Sequence, residues 1–272
     1  MSDARSRLVR VTTEDGPRYG VIVEEQVYSL AGNLFGQWEP SERVGPLDEL
    51  SPLAPAMPTK IVCVGLNYPA HADESSMVLP SEPLLFLKPP SAVIGPEATI
   101  LLPPQSERVD YEAELAVVIG RRCRNVGPDE AWHYVLGATC GNDVTARDLQ
   151  QLDNQWTRAK GFDTFCPLGP WLVVGLGEED VADLEVTCRV NGTLRQAGRT
   201  SEMAFSPSEL IAYASSIMTL DPGDVIMTGT PEGVGPLAAG DVVEVEVGGI
   251  GVLRNPVRNA KSGEPGGTLS VA

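Results

Sequence analysis

The most regular polar and apolar pattern in the chain runs from Val109 to Gly120, reading Val-Asp-Tyr-Glu-Ala-Glu-Leu-Ala-Val-Val-Ile-Gly. It is rich in β-branched residues and ends on a glycine, which predicts one continuous strand. Side chains alternate faces along a strand. Glu112 and Glu114 therefore share a face with Ala116 and Val118, while Ala113, Leu115, Val117 and Ile119 form a wholly apolar face. Two carboxylates stand side by side at the entrance to a core strand.

Elsewhere the pattern is shorter. Leu8 to Leu30 alternates like a hairpin, with Asp15-Gly16-Pro17 as the turn. Ala31 to Pro58 is mixed and proline-rich, which marks a linker or wrapped loop and a boundary near Ala56. Lys60 to Gly65 and Leu84 to Lys88 read as short strands, joined by a loop from Asn67 to Pro83. Asp129 to Leu136 reads as a short helix after Pro128. Ser206-Pro207-Ser208-Glu209 is a capping box with proline at the first helical position. The helix behind it repeats Leu210, Ile211, Ala214, Ile217 and Met218. Asp241 to Val247 alternates as a strand, and Ser262 to Ala272 is a polar, glycine-rich tail expected to fray. Strands outnumber helices without regular alternation, so the class is β-rich α+β. The expected organisation is a small N-terminal β domain with linker (1–56), a catalytic domain (57–258) and a flexible tail (259–272).

Composition narrows the function. A chain of 272 residues with 42% hydrophobic positions can build a real core. No run approaches the ~20 apolar residues of a membrane helix. No apolar segment follows Met1-Ser2-Asp3-Ala4-Arg5, so no signal peptide is read and the cytoplasm is the expected location. A net charge of −17 disfavours nucleic acid and anionic membranes as partners. The five cysteines are scattered without Cys-x-x-Cys, which argues for buried thiols over disulfides or a zinc knuckle. Only two histidines, His71 and His133, are present, which excludes a histidine-rich metal site.

The candidate chemistry is acidic. Adjacent carboxylates repel, and their burial is costly. A hard divalent cation with oxygen ligands removes both penalties; a solvated strand end with two surface glutamates fits the same pattern. Asp143 lies at the end of an apolar stretch, and Arg147 and Gln150 follow at helical spacing. An N-cap aspartate with a surface arginine is the alternative there. Lys160 lies in a segment rich in glycine, proline and aromatics, where a cation can neutralise a developing enolate. The alternative is a lysine whose stem packs on Phe162 with its head in water. His71 and Glu74, at i and i+3, make a general base on a helical turn or a surface pair. Thr228 to Gly235 is a glycine-rich turn, without the lysine of a phosphate loop, whose amides and Thr230 can receive a carboxylate.

Taken together, these segments resemble the fumarylacetoacetate hydrolase family. The matching residues are Gly65-Leu66-Asn67-Tyr68 with His71 and Glu74, Phe86-Leu87-Lys88-Pro89, Glu112-Ala113-Glu114-Leu115, Asn142 to Asp148, Lys160-Gly161-Phe162-Asp163 and Thr228-Gly229-Thr230-Pro231. The resemblance covers about residues 58 to 258. It implies a mixed β-sandwich roll and a Mg²⁺ or Mn²⁺ held by Glu112, Glu114 and Asp143. It also implies a dimer, and a lid carrying His71 and Glu74. Lys88, Arg147, Gln150, Lys160 and Thr230 fall where the family contacts its substrate, a small 2-oxo or 2-hydroxy-dienoic acid that reacts through an enolate. The intact His71/Glu74 pair favours C–C cleavage, by acylpyruvate-type hydrolysis or oxaloacetate-type decarboxylation. Isomerisation of a hydroxymuconate-type diene is the second expectation. A non-catalytic metal- or ligand-binding protein is the rival from another class.

Overall fold

A computed structural model of the chain describes residues 5–261. Among them, strands dominate and helices are short, as expected of a β-rich α+β chain. Both the first residues, read for a leader, and the Ser262–Ala272 tail lie outside the described residues.

The largest sheet runs, neighbour to neighbour, through Trp38–Pro46, Gln26–Gly32, Gly16–Val23, Ser6–Thr13, Cys166–Val174, Val135–Asn142, Ala113–Ile119, Val225–Met227, Ile61–Gly65 and Leu84–Lys88. Most pairs are antiparallel; Val225–Met227 beside Ile61–Gly65 is parallel. A second sheet orders Thr193–Arg199, Glu185–Val190, Val242–Val247, Gly251–Asn259 and Ile100–Leu102. The two sheets enclose the main core, where Ala113, Leu115, Val117 and Ile119 meet Val186, Val190, Val243, Val245 and Leu253. On the opposite face Ala116 and Val118 pack with Leu8, Cys63, Leu168 and Met227. The Ala113–Ile119 strand is thus buried on both faces. Such a strand reads as a nearly continuous apolar run, and each fully buried Leu or Val stabilises it by about 1.5–3 kcal/mol.

Three expectations are corrected. Val109 to Gly120 is not one strand. Val109–Tyr111 belongs to a small third sheet with Thr145–Ala146 and Gly235–Pro236, and the chain changes sheets at Glu112. The apparent hairpin at the N-terminus is a meander of Ser6–Thr13, Gly16–Val23 and Gln26–Gly32, continued by Trp38–Pro46 and Pro52–Leu53 in the segment read as linker. Prolines sit there because edge strands tolerate a missing N–H. The helix expected over Asp129 to Leu136 stops early: Pro128–Ala131 is helical, Trp132–Tyr134 tightens to 3₁₀, and the next strand begins at Val135. The capping box is present, with Ser206 Oγ accepting from the Glu209 N–H at 3.3 Å and Glu209 Oε2 from the Ser206 N–H at 2.7 Å. No helix among the described residues is long and apolar enough to cross a membrane.

Candidate metal centre and active site

The change of sheet at Glu112 sets up the site. Asn142 Oδ1 accepts the Glu112 N–H at 3.0 Å, and the Asp143 N–H donates to the Glu112 carbonyl at 2.9 Å. Three carboxylates, Glu112, Glu114 and Asp143, thereby come together; one ligand oxygen from each lies within 4.8 Å of the others. They are 4%, 1% and 1% exposed, which removes the reading of a solvated strand end. Gly141 pairs with Glu114 across the sheet and leaves room for Met227, whose Sδ would lie 2.7 Å from an added Cβ.

Cations answer two of the three acids. Lys160 Nζ bridges Glu112 Oε2 at 2.8 Å and Asp143 Oδ2 at 2.7 Å. Arg147 Nη2 donates to Glu112 Oε1 at 2.5 Å, and Lys88 Nζ donates to Asp143 Oδ1 at 2.5 Å and to the Val144 carbonyl at 3.0 Å. Glu114 Oε2 accepts the backbone N–H of Gly229 at 2.8 Å. Gly229 has φ +95° and sits against Asn67, 2.7 Å from where a Cβ would stand, so only glycine delivers that amide.

The electrostatics follow. Burial pushes the Glu112 carboxyl up, but Lys160 and then Arg147 outweigh it and hold it far below the usual carboxylate range. For Glu114, burial and then the charges of Asp143 and Glu112 push its carboxyl well above that range. Burial pulls the Lys160 ammonium down, yet Asp143 and Glu112 overcome it and keep it charged.

A cavity of about 450 Å³ opens over this cluster, lined among others by His71, Glu74, Arg147, Gln150, Lys160 and Thr230. Phe86 and Trp156, packed edge to face at 5.3 Å, line it too, and Lys160 Nζ lies 5.0 Å from the Phe86 ring centre. His71 is on the Pro69–Glu74 helical turn, with Nδ1 3.4 Å from Glu74 Oε2. Glu74 also accepts the Gly233 N–H, at 3.1 Å through Oε2. Lys160 ends the Thr157–Lys160 helical turn and is 2% exposed, so the reading of a lysine head in water is replaced. Lys88 departs from its expected place. Its side chain is wholly buried behind Asp143 and it does not line the cavity.

Asp110 escaped sequence reasoning. It is fully buried and accepts Arg147 Nε at 2.9 Å and Arg108 Nε at 2.9 Å, fixing the guanidinium that reaches Glu112. The signal was an acid two positions before Glu112 in the same alternation. Gln196, buried on the Thr193–Arg199 strand and accepting the N–H of Ala113 between Glu112 and Glu114 at 2.9 Å, offered none.

The residues suit a hard divalent cation. The donors are all carboxylate oxygens, and octahedral bonds of about 2.1 Å place ligand oxygens roughly 3–4 Å apart, a spacing reached by small adjustments from three oxygens that already lie within 4.8 Å of one another. Four buried carboxylates, counting Asp110, face two buried lysines, Lys88 and Lys160, and the partly buried guanidinium of Arg147, and Glu114 is the one of the four without an ion pair among the described residues.

The description Fumarylacetoacetate (FAA) hydrolase C-terminal matches residues 60–258, and Rv2993c-like, N-terminal, matches residues 6–55. The chain belongs to the fumarylacetoacetate hydrolase family. Protein Rv2993c of Mycobacterium tuberculosis is 46% identical over 266 residues, 95% of this chain and 100% of its own length. Human mitochondrial oxaloacetate tautomerase FAHD2A is 46% identical over 222 residues, 78% of this chain and 71% of that protein. The crystal structure of 2-hydroxyhepta-2,4-diene-1,7-dioate isomerase from Mycobacterium marinum superposes with a TM-score of 0.87 at 43% identity, covering 95% of this chain and 100% of that one. The chain has the strand-rich fold of this family and is one of its enzymes.

Proposed function

We propose that the chain transfers a proton between the 2-oxygen and the adjacent carbon of a small 2-oxo dicarboxylic acid, interconverting its enol and keto forms. The observation that carries this reading is the His71–Glu74 pair lining one cavity with three converging carboxylates and Lys160. Two relatives add support, because a tautomerase and a diene isomerase both move protons along an enol.

Glu112, Glu114 and Asp143 would hold Mg²⁺ or Mn²⁺. Such an ion, when bound, supplies Lewis acidity to the carboxylate and 2-oxygen of the acid. The chain's own groups do the rest. Glu74 accepts from His71 Nδ1, which leaves Nε2 free to carry the proton to or from carbon. Lys160, kept charged by its acidic neighbours, offsets negative charge gathering on the 2-oxygen. Arg147 and Gln150, bonded to each other at 2.6 Å, present a polar wall suited to a carboxylate end. One proton leaves oxygen and one arrives on carbon, so no co-reactant is consumed.

A second reading rests on the same pair. His71 oriented by Glu74 is equally suited to deprotonating a water, which would attack a distal carbonyl and split a C–C bond. Purified protein with Mg²⁺, set against a chelated control, separates the two. Oxaloacetate enol is followed by its ultraviolet absorbance, and pyruvate is assayed from oxaloacetate and from acetylpyruvate. Metal-dependent loss of enol without pyruvate is the expected result. Pyruvate release moves the assignment to cleavage. Inactivity on both acids and on a hydroxymuconate-type diene refutes enolate chemistry at this site. The dimer that the resemblance implies is tested by light scattering on the same sample.

A further inference from the structure

A single residue, Ala113, separates Glu112 from Glu114, and the chain changes sheets between Tyr111 and Ala113. Both backbone polar groups of Ala113 bond to side chains. Its N–H donates to Gln196 Oε1 at 2.9 Å, and its carbonyl accepts from Thr230 Oγ at 2.8 Å. Gln196 Nε2 closes the ring, donating to Thr230 Oγ at 2.7 Å and to the Pro231 carbonyl at 2.8 Å. Gln196 is 1% exposed and comes from Thr193–Arg199, in the other large sheet. The loop it grips is the one whose Gly229 N–H reaches Glu114 at 2.8 Å.

We propose that Gln196 is a positioning residue for the divalent-metal centre, holding Glu112 and Glu114 convergent through the Ala113 peptide and the Thr230–Pro231 loop. This rests on the reading that Glu112, Glu114 and Asp143 bind a divalent cation. The reasoning is electrostatic. Glu112 and Glu114 repel each other across the two peptide units that flank Ala113, and rotation of those units would relieve the repulsion by splaying them. Hydrogen bonds at both ends of Ala113 oppose the rotation. They are buried, so water does not replace them cheaply. Groups that orient metal ligands in this way are typically worth about 10–100-fold in metal affinity. The primary amide is the side chain that fits: it accepts from Ala113 through oxygen and donates twice through nitrogen.

The test is calorimetric titration of Mg²⁺ and Mn²⁺ into chelator-stripped full-length protein, beside thermal melts without metal. Gln196→Glu keeps the shape and the acceptor but cannot donate to Thr230 or Pro231. Its dissociation constant should rise about tenfold or more. Thr230→Val should do the same, and Thr230→Ser, which keeps the hydroxyl, should restore wild-type affinity. Gln196→Leu combined with Thr230→Val should cost less than the sum of the two, because both break one ring. Asn255→Leu is the control. Asn255 is a buried amide bonded to the Gly95 and Ala98 carbonyls outside the cavity, so its loss should lower the melting temperature and leave metal affinity unchanged.

If Gln196→Glu does not fold, Thr230→Val decides. Wild-type protein that takes up neither ion defeats the metal reading itself. Wild-type uptake matched within about twofold by folded Gln196→Glu and Thr230→Val, far under the range for ligand-orienting groups, overturns the positioning role and leaves the metal reading intact.

Discussion

Lys88 gives the sharpest test of how the charges are arranged. Family resemblance implies a substrate contact, whereas its ammonium lies wholly buried on Asp143 Oδ1 at 2.5 Å and the Val144 carbonyl at 3.0 Å. Lys88→Met keeps the length and apolar stem but leaves Asp143 with Lys160 as its remaining cation and the Val144 carbonyl without this donor. Removing one partner of a buried ion pair costs about 3–5 kcal/mol. At roughly 2.1 cal/mol/K per residue, 272 residues give an unfolding entropy of about 0.6 kcal/mol/K, so about 4 kcal/mol lowers Tm by about 7 °C. Scanning calorimetry in chelator measures it. Saturating Mg²⁺ should raise the Tm of the variant by more than that of the wild type, because the ion supplies the missing positive charge. A variant melting within about 1 °C of wild type, with KM raised, would refute this account and return Lys88 to the substrate; such a shift is far under what a broken buried pair costs.

Glu114→Gln should act in opposite directions with and without metal. It should weaken Mg²⁺ binding about tenfold or more. In chelator it should raise Tm, because burial and then Asp143 and Glu112 already push that carboxyl well above its usual range; equal titrations of both proteins would remove Glu114 from the ligand set. His71→Ala should cut kcat by about a hundredfold or more with Mg²⁺ affinity preserved, and unchanged turnover would end its role as proton carrier. Burial pushes the Tyr111 hydroxyl up to about 12, and this hydroxyl donates to the Gly233 carbonyl. An unfolded tyrosine ionises near 10, so this stabilisation is present below about pH 10 and lost as pH rises through the folded value. Urea midpoints should therefore fall more steeply across that window in wild type than in Tyr111→Phe; parallel curves would contradict it.

The convergence of the three acids was legible because they lie in patterns with local meaning. Glu112 and Glu114 interrupt an apolar alternation, and Asp143 and Arg147 bracket the start of a helix, Arg147–Leu152. What periodicity could not reveal was the change of sheet. A period of two runs through Glu112 unbroken, and whether Val109–Tyr111 continues beside Val135–Asn142 or pairs with Thr145–Ala146 depends on partners decided elsewhere in the chain. The strands in the segment read as linker, Trp38–Pro46 and Pro52–Leu53, were missed for a related reason. Trp38–Pro46 is an exposed edge strand, so no apolar face is written into its sequence. Gln196 was invisible because a buried amide has no periodic signature; only its three partners, each distant in sequence, give it meaning.

The change of sheet also explains how so acidic a centre folds. Along a regular strand, Glu112 and Glu114 would stand on one face about 7 Å apart, with the next acid two positions back, Asp110, in line with them. Switching sheets at Glu112 hands Asp110 to the small sheet, where Arg108 and Arg147 hold it, and turns Glu112 toward Lys160. Each buried acid but one thereby gains a cation before any metal arrives. The remaining acid, Glu114, accepts one backbone amide, from Gly229, while burial and then Asp143 and Glu112 push its carboxyl well above the usual range and favour its neutral form. A divalent ion held here would have the most to gain at Glu114, the position where the protein supplies no cation, so under the proposed function the drive to bind it and the cost of its absence would reside in the same side chain.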